Sequence, residues 1–254
     1  MTTQDFITEL FCRTDDDMHD VAKHPQANLY PSELTTIGLL YALKGVGQRA
    51  FYRWLVRDSK PLFPALPERT RLFRALAVHQ EWTRRFLAAP TVLGICDSYG
   101  VELLHPPREG RSTRQIGKKG KSNQRWIIGA KLAPLLNQQA LVVDWHSATA
   151  NVHDAAFHPL LEKYGEHMIV LCDSGFHAKA GDPPNCKICK KGTWNERMVI
   201  ETLFSMLKNV CHFKQLRHRS WSHLTARFAY ILALYNILVQ WHGDIRLSIA
   251  PFSL

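Results

Sequence analysis

The sequence predicts an α/β protein, with a mixed-sheet domain over residues 89–254 preceded by a small all-helical region over residues 1–88. Three observations predict it. Apolar residues recur at helical spacing as far as Ala88. From Thr91 onward, short apolar runs bounded by turn residues take over, in the order strand, hairpin, helix, strand, helix. A hydrophobic fraction of 46% with seven tryptophans is enough to build a real core in a chain of 254 residues.

The elements follow in chain order. Asp5 to Cys12 carries a short helical periodicity ahead of the acidic run Asp15 to Asp17. Pro31-Ser32 opens a helix over Glu33 to Leu43, with Leu34, Ile37, Leu40 and Tyr41 at helical spacing, and Gly45-Val46-Gly47 stops it. Arg49 to Val56 starts another helix. Two short helices around a glycine turn fit a helix-turn-helix and equally a generic helical bundle. Arg53 and Arg57, four apart, form a phosphate-facing edge of the second helix. After PLFPALP, Glu68 to Ala88 reads as a third helix carrying five arginines. Pro90 marks the change of pattern. Thr91 to Cys96 is a short apolar strand. Pro106 to Arg125 is polar, basic and glycine-dotted, which favours a mobile loop that orders on phosphate. Trp126 to Leu136 and Ala140 to Trp145 flank Asn137-Gln138-Gln139 as a hairpin. His153 or Asp154 caps an amphipathic helix running to Tyr164. Met168 to Cys172 is another apolar strand, and Ser222 to Trp241 is a long apolar helix that packs on the sheet.

Charge narrows the function classes. The formal net charge is +10, and it is unevenly placed. Residues 41–90 hold ten basic and three acidic side chains, residues 91–131 hold eight and three, and residues 177–254 hold eleven and four. Basic regions separated by acidic ones suggest a surface that meets a polyanion, with double-stranded DNA as the expected partner. A solvated basic face serving solubility is the alternative. The first seventeen residues show neither a basic segment nor an apolar one of the signal-peptide kind. The most apolar run, Phe228 to Val239, is broken by Asn236 and too short to span a bilayer. Six cysteines without regular spacing fit a reducing compartment, so a cytoplasmic protein is expected.

Both strands Thr91–Cys96 and Met168–Cys172 end in Asp-Ser, at Asp97 and Asp173. An acid at a strand's C-terminal end lies at the rim of the sheet, where open α/β folds place their sites. A third acid, Glu201, sits in the predicted helix Trp194 to Val210. At 3.6 residues per turn, Trp194, Arg197, Glu201 and Lys208 share a stripe within roughly 40° around the axis. Val199, Leu203, Met206, Leu207 and Val210 fall on the opposite, core-facing side. Taken alone the stripe is also that of a solvated face with an Arg–Glu pair. Three converging carboxylates would raise one another's pKa unless bound to one or two Mg²⁺ ions, which prefer carboxylate oxygens. Asp144 is a further strand-end acid. Cys186-x2-Cys189 supplies half of a zinc site, which Cys172, His177, Cys211 or His212 would have to complete.

The order Asp97…Asp173…Glu201, with Trp194-x2-Arg197-x3-Glu201-x6-Lys208, resembles the DDE transposases of bacterial insertion sequences. Their signature is Tyr-x2-Arg-x3-Glu-x6-Lys/Arg, with Trp194 standing at the Tyr position. The resemblance extends to LFPALPERTRLFR, to HPPREGR, to Val152-His153-Asp154 and to RFAYILALYN, so it covers nearly the whole chain. Two stretches depart from it. Ile128-Gly129-Ala130-Lys131-Leu132-Ala133 lacks a usual His, and Ser174 stands where relatives carry a cation. The resemblance implies a ribonuclease-H-like catalytic domain and two Mg²⁺ or Mn²⁺ ions held by Asp97, Asp173 and Glu201. It also implies cut-and-paste cleavage and strand transfer on transposon ends and target DNA, by a homodimer on DNA. DNA contacts are expected from Trp194, Arg197, Lys208, Arg108, Arg111, Lys121, Lys131, Arg53 and Arg57. A metal-dependent nuclease without strand transfer, and a transposase-derived DNA-binding protein without catalysis, remain the alternatives.

Overall fold

The computed structural model describes residues 2–122, 125–189, 197–213 and 216–243. Its architecture is a mixed sheet between two layers of helix, the α/β class expected. Among the described residues no helix is long and apolar enough to cross a membrane.

The N-terminal layer is helical throughout. α1 (Thr3–Met18) opens with a reciprocal cap: the Thr2 hydroxyl accepts the Asp5 N–H at 3.2 Å, and Asp5 accepts the Thr2 N–H at 2.8 Å. This helix runs through Asp15–Asp17, past its expected end. Acids at a helix C-terminus oppose the dipole, and Arg85 offsets them by forking onto Asp20 at 2.7 and 2.9 Å and donating to the Asp17 carbonyl at 3.2 Å. α2 (Pro31–Lys44) starts at Pro31 and is stopped by Gly45, whose φ of +64° is left-handed. α3 (Gln48–Asp58) follows after a three-residue turn. The expected third helix is divided: α4 (Arg69–Val78) stops at His79, and Gln80–Phe86 continues as a 3₁₀ helix. Thr83 and Phe86, the residues that the second piece buries, are three apart, which suits the tighter turn.

The sheet is organised by one long strand. β1 (Leu93–Cys96), β2 (Tyr99–Leu104) and β3 (Lys118–Ser122) all pair antiparallel with β4 (Arg125–Asn137), as does β5 (Val142–Thr149). β3 and then β5 lie along one side of β4, β2 and then β1 along the other. β6 (Ile169–Cys172) pairs parallel with β1, and β7 (Cys186–Ile188) parallel with β6. The central order is therefore β5-β4-β1-β6-β7. The hairpin about Asn137 is as expected. The stretch expected as a loop from Pro106 contains β3, whose lysine-rich residues pair because β4 overhangs the centre of the sheet. β7 is a short edge strand of three residues, Cys186–Ile188.

Helices α6 (Arg197–Val210) and α7 (Trp221–His242) cover one face together with the N-terminal layer. Phe6, Ile37, Phe51, Leu72, Leu132, Leu136, Leu207 and Phe228 all belong to this one apolar core. The opposite face packs Ala133, Leu135, Val143 and Val170 on Phe157, Leu161 and Phe176, from a 3₁₀ turn, the short α5 (His158–Glu162) and a second turn. α7 is apolar all round because it is buried all round. The polar break in its sequence, Asn236, lies wholly inside, where its amide pairs with both backbone groups of Val142 at 2.8 Å and with the Phe86 carbonyl at 2.9 Å. It thus acts as an extra strand partner for β5, and losing it would take that partner from the Val142 N–H and the Phe86 carbonyl, at about 1–3 kcal/mol each, while the Val142 carbonyl keeps the Ala88 N–H at 2.8 Å.

Two charged ties complete the frame. Asp144 accepts from Lys163 at 2.6 Å, the Trp145 N–H at 2.9 Å, Tyr164 at 3.1 Å and Arg84 at 3.3 Å. Burial works to raise its pKa, but Lys163, the Trp145 amide and Arg84 outweigh it and hold the carboxyl below its ordinary value. Asp144 therefore anchors the 3₁₀ stretch and α5 to β5, and this employs it structurally. Arg227 of α7 is buried and donates to the Tyr41 and Ala42 carbonyls in the last turn of α2, with its guanidinium 4.0 Å from the Tyr41 ring centre.

Beside it, burial and then the charges of Arg227 and His223 push His218 down to about 4. A histidine whose folded pKa lies below the unfolded one stabilises fully above about pH 6.5 and loses that contribution as pH falls towards 4. The urea midpoint of the protein should therefore fall between pH 7.5 and 4.5 by more than that of His218→Gln. Equal falls in the two proteins would contradict this.

Candidate active site

The two Asp-Ser strand ends meet. β1 and β6 pair in register, with Cys96 opposite Cys172. Asp97 and Asp173 therefore leave neighbouring strands at the same edge, their backbones about 5 Å apart. Each also turns its chain. Asp97 Oδ1 accepts the Ser98 N–H at 2.7 Å, and Asp173 Oδ1 accepts the Gly175 N–H at 2.9 Å as the cap of a 3₁₀ turn over Ser174–Phe176. Both side chains are half-buried at the sheet rim.

A third acid joins them that the linear sequence marks only as a helix cap. Asp154 begins the 3₁₀ turn Asp154–Phe157, and its Oδ1 accepts from Ser98 Oγ at 2.5 Å and Lys131 Nζ at 2.7 Å. A Cβ on Gly175 would stand 2.8 Å from Asp154 Oδ2 and 3.0 Å from Asp173 Oδ1, so the bare glycine lets the two acid loops close on each other. The partners of Asp154 lie 56 and 23 residues away, which is why spacing could not reveal it. The signals present were the Val152-His153-Asp154 stretch and the serine after Asp97. Lys131 was expected to contact DNA. It is instead largely buried, with 12% of its side chain exposed, and is engaged with Asp154.

Behind the acids lie thiols. Burial, then Asp97, Cys186, Asp154 and Asp173, push Cys96 well up. Cys172, donating to the Cys186 sulfur and buried, is also pushed up. Of the thiols considered for zinc, Cys186 meets Cys172, and among the described residues no group of three His, Cys, Asp or Glu side chains that could hold a metal ion forms around them. Cys186 turns into the apolar core beside Cys172, while the Cys189 thiol, three residues on, meets the Lys187 carbonyl at 3.7 Å. Residues an odd number apart on extended chain face opposite ways.

α6 approaches the same corner. Tyr99, two residues after Asp97, packs its ring 4.8 Å from Phe204 and 5.7 Å from Phe213, and Lys208 Nζ lies 5.5 Å from its centre. Ile200, Leu203, Leu207 and Val210 turn into the core, whereas Glu201 is exposed about one turn before Phe204. Among the described residues, no three His, Cys, Asp or Glu side chains are grouped closely enough to hold a metal ion. Asp97 and Asp173 are brought together at the sheet edge, and Glu201 lies exposed on α6. Arg197 is the first residue of α6; Trp194 lies outside the described residues.

No family model matches the chain, and no curated protein matches it. One similar solved structure is a chain of the "Crystal structure of the Mos1 mariner paired end complex with Mn". It is 13% identical with a TM-score of 0.34, over 97% of this chain and 88% of that one, and a likeness of that size carries no argument.

The remaining expected DNA contacts are spread over the surface. Arg108, Arg111 and Lys121 are exposed on the segment between β2 and β4. Arg53 is exposed on α3, while Arg57 forks onto Asp58 with two bonds of 2.7 Å.

The Lys131–Asp154 pair offers a test of the site's electrostatics. Lys131→Met leaves a half-buried carboxylate facing two more, and should cost about 2–4 kcal/mol in urea unfolding. Adding Asp154→Asn should recover part of that loss. Additive losses would show that the pair is not coupled.

Proposed function

We propose that the chain is an insertion-sequence transposase of the DDE type, with a ribonuclease-H-like catalytic domain that cleaves duplex DNA and transfers the freed strand. The observation that carries this reading is the in-register pairing of β1 with β6, which delivers Asp97 and Asp173 to one sheet edge. It is supported by α6, whose Arg197-x3-Glu201-x6-Lys208 spacing belongs to the resemblance and whose Phe204 packs on Tyr99 beside Asp97.

The donor set suits a hard divalent cation, since carboxylate oxygens on adjacent strand ends are the ligands Mg²⁺ or Mn²⁺ takes. In this reading Asp97 and Asp173 hold the ions, two in number, and Glu201 turns in from its exposed position to join them. Bound there, such ions activate an attacking oxygen and stabilise the leaving one. The protein's own contribution is positional. The turns at Ser98 and Gly175 fix the two carboxylates, and Lys131 holds Asp154 between their loops. Arg197, Lys208 and Trp194 border the DNA near Glu201, and Arg108, Arg111 and Lys121 contact phosphates further out. Residues 1–88 recognise the element's ends, and two copies of the chain pair on DNA.

A second reading is a transposase-derived DNA-binding protein without catalysis, in which Glu201 keeps its exposed position on α6. Cleavage assays separate the two. Glu201→Gln should bind element-end duplexes as the parent does and lose Mg²⁺-dependent cleavage, and undiminished cleavage by this variant would sink the proposal. Pre-cut ends bearing a 3′-OH should be joined to target DNA. Cleavage without joining would leave a nuclease.

A further inference from the structure

Away from the acids, the helical layer contains an open cleft of about 330 Å³ lined by Gln48, Arg49, Arg69, Thr70, Phe73 and His223. Its cations are uncommitted. Among the described residues, neither Arg49 nor Arg69 makes an ion pair or a side-chain hydrogen bond, whereas Arg57, Arg84, Arg85 and Arg125 all do. The nearest acid in sequence is Glu68, which is exposed and does not line the cleft. Two unpaired guanidinium groups on one concave surface repel each other, and an anion between them removes that cost.

The backbone around the cleft favours the same charge. Gln48 and Arg49 begin α3, Arg69 and Thr70 begin α4, and His223 lies in the first turn of α7. Three helix N-termini thus face one space, each carrying partial positive charge and N–H groups without intrahelical acceptors. α3 and α4 have no side-chain cap, so their first N–H groups remain available to a ligand. At α7 the Ser220 hydroxyl accepts the His223 N–H at 3.4 Å and lies 2.6 Å from His223 Nδ1. The floor is rigid: Phe73 is buried edge-on against Tyr41 at 5.0 Å.

The cleft is also tied to the helix bearing Glu201. Gly45, in the turn leading to α3, lies against the His212 ring, where a Cβ would stand 2.2 Å away. His212 follows the end of α6, and Glu201 sits ~14 Å back along that helix. We propose that this cleft binds a phosphate group, and that its source is a backbone phosphodiester of the duplex DNA on which the chain acts. Only the choice of source rests on the transposase reading.

The test uses the full chain and the double variant Arg49→Gln/Arg69→Gln. Both side chains are exposed and unpaired, so the variant should melt within a few degrees of the parent. Arg74→Gln, which removes one charge on α4 outside the cleft, is the single-charge control for a slope change of at most about one. The double variant should bind duplex DNA about tenfold or more weakly, irrespective of sequence, and its log–log salt slope should fall by about two. Arg74→Gln should change both much less. Inorganic phosphate at tens of millimolar should raise the melting temperature of the parent and not of the double variant. Loss of DNA affinity no greater than in Arg74→Gln, with no phosphate effect, overturns the site. A phosphate effect with unchanged DNA binding overturns the assignment to the DNA backbone. Because neither readout requires cleavage, an inactive Glu201 would leave this test standing.

Discussion

Parallel pairing of Leu93–Cys96 with Ile169–Cys172 is the constraint on which the candidate site depends. Both strands are four residues long and end in a buried cysteine followed by an aspartate. A slip of one residue would turn the cysteines outward and an aspartate inward, and burying an ionised carboxylate without partners costs several kcal/mol. The apolar pattern therefore fixes the register, and the register fixes that both acids leave the sheet side by side. Ser98, Gly175 and Asp154 then elaborate a geometry that the strands have already set.

The acids are not isolated from the helical layer. Asn236 reaches from α7 to Val142 and Phe86 together, Asp144 joins Arg84 to Lys163, and Arg227 clamps the end of α2. Phe6, Leu72, Leu132 and Phe228 share one core, so the N-terminal helices pack as part of the same body as the sheet. A basic cleft built from the first turns of α3, α4 and α7 is consequently held in fixed relation to the sheet edge. Under the proposed function, that arrangement would let the chain hold a polyanion at one place and act on it at another.

Much of this was legible in the sequence, for identifiable reasons. Helical and alternating patterns are local, so α2, the hairpin at Asn137, β6 and the core-facing side of α6 could be read directly. The C-terminal ends of β1 and β6 were legible because an apolar run followed by Asp-Ser is a short-range signal. Features that depend on distant partners were not. α1 runs past its acidic residues only because Arg85 caps it, and β3 forms only because β4 is long enough to receive it. Lys131 could be read as a surface base, yet its partner Asp154 lies 23 residues away. Asn236 looked like an interruption of an apolar run and is the residue that knits that run to the sheet. The cleft was invisible because its six lining residues come from three separate helices.

The central claim is that Asp97 and Asp173 form one cation site at a shared strand edge. Calorimetric titration of the DNA-bound protein with Mn²⁺ tests it most directly, with Asp97→Asn and Asp173→Asn measured beside the parent. The account predicts saturable binding in the parent that is lost to a similar degree in both variants, since each acid supplies oxygens to the same ions. Full binding retained by either variant, or no binding by the parent, would contradict it.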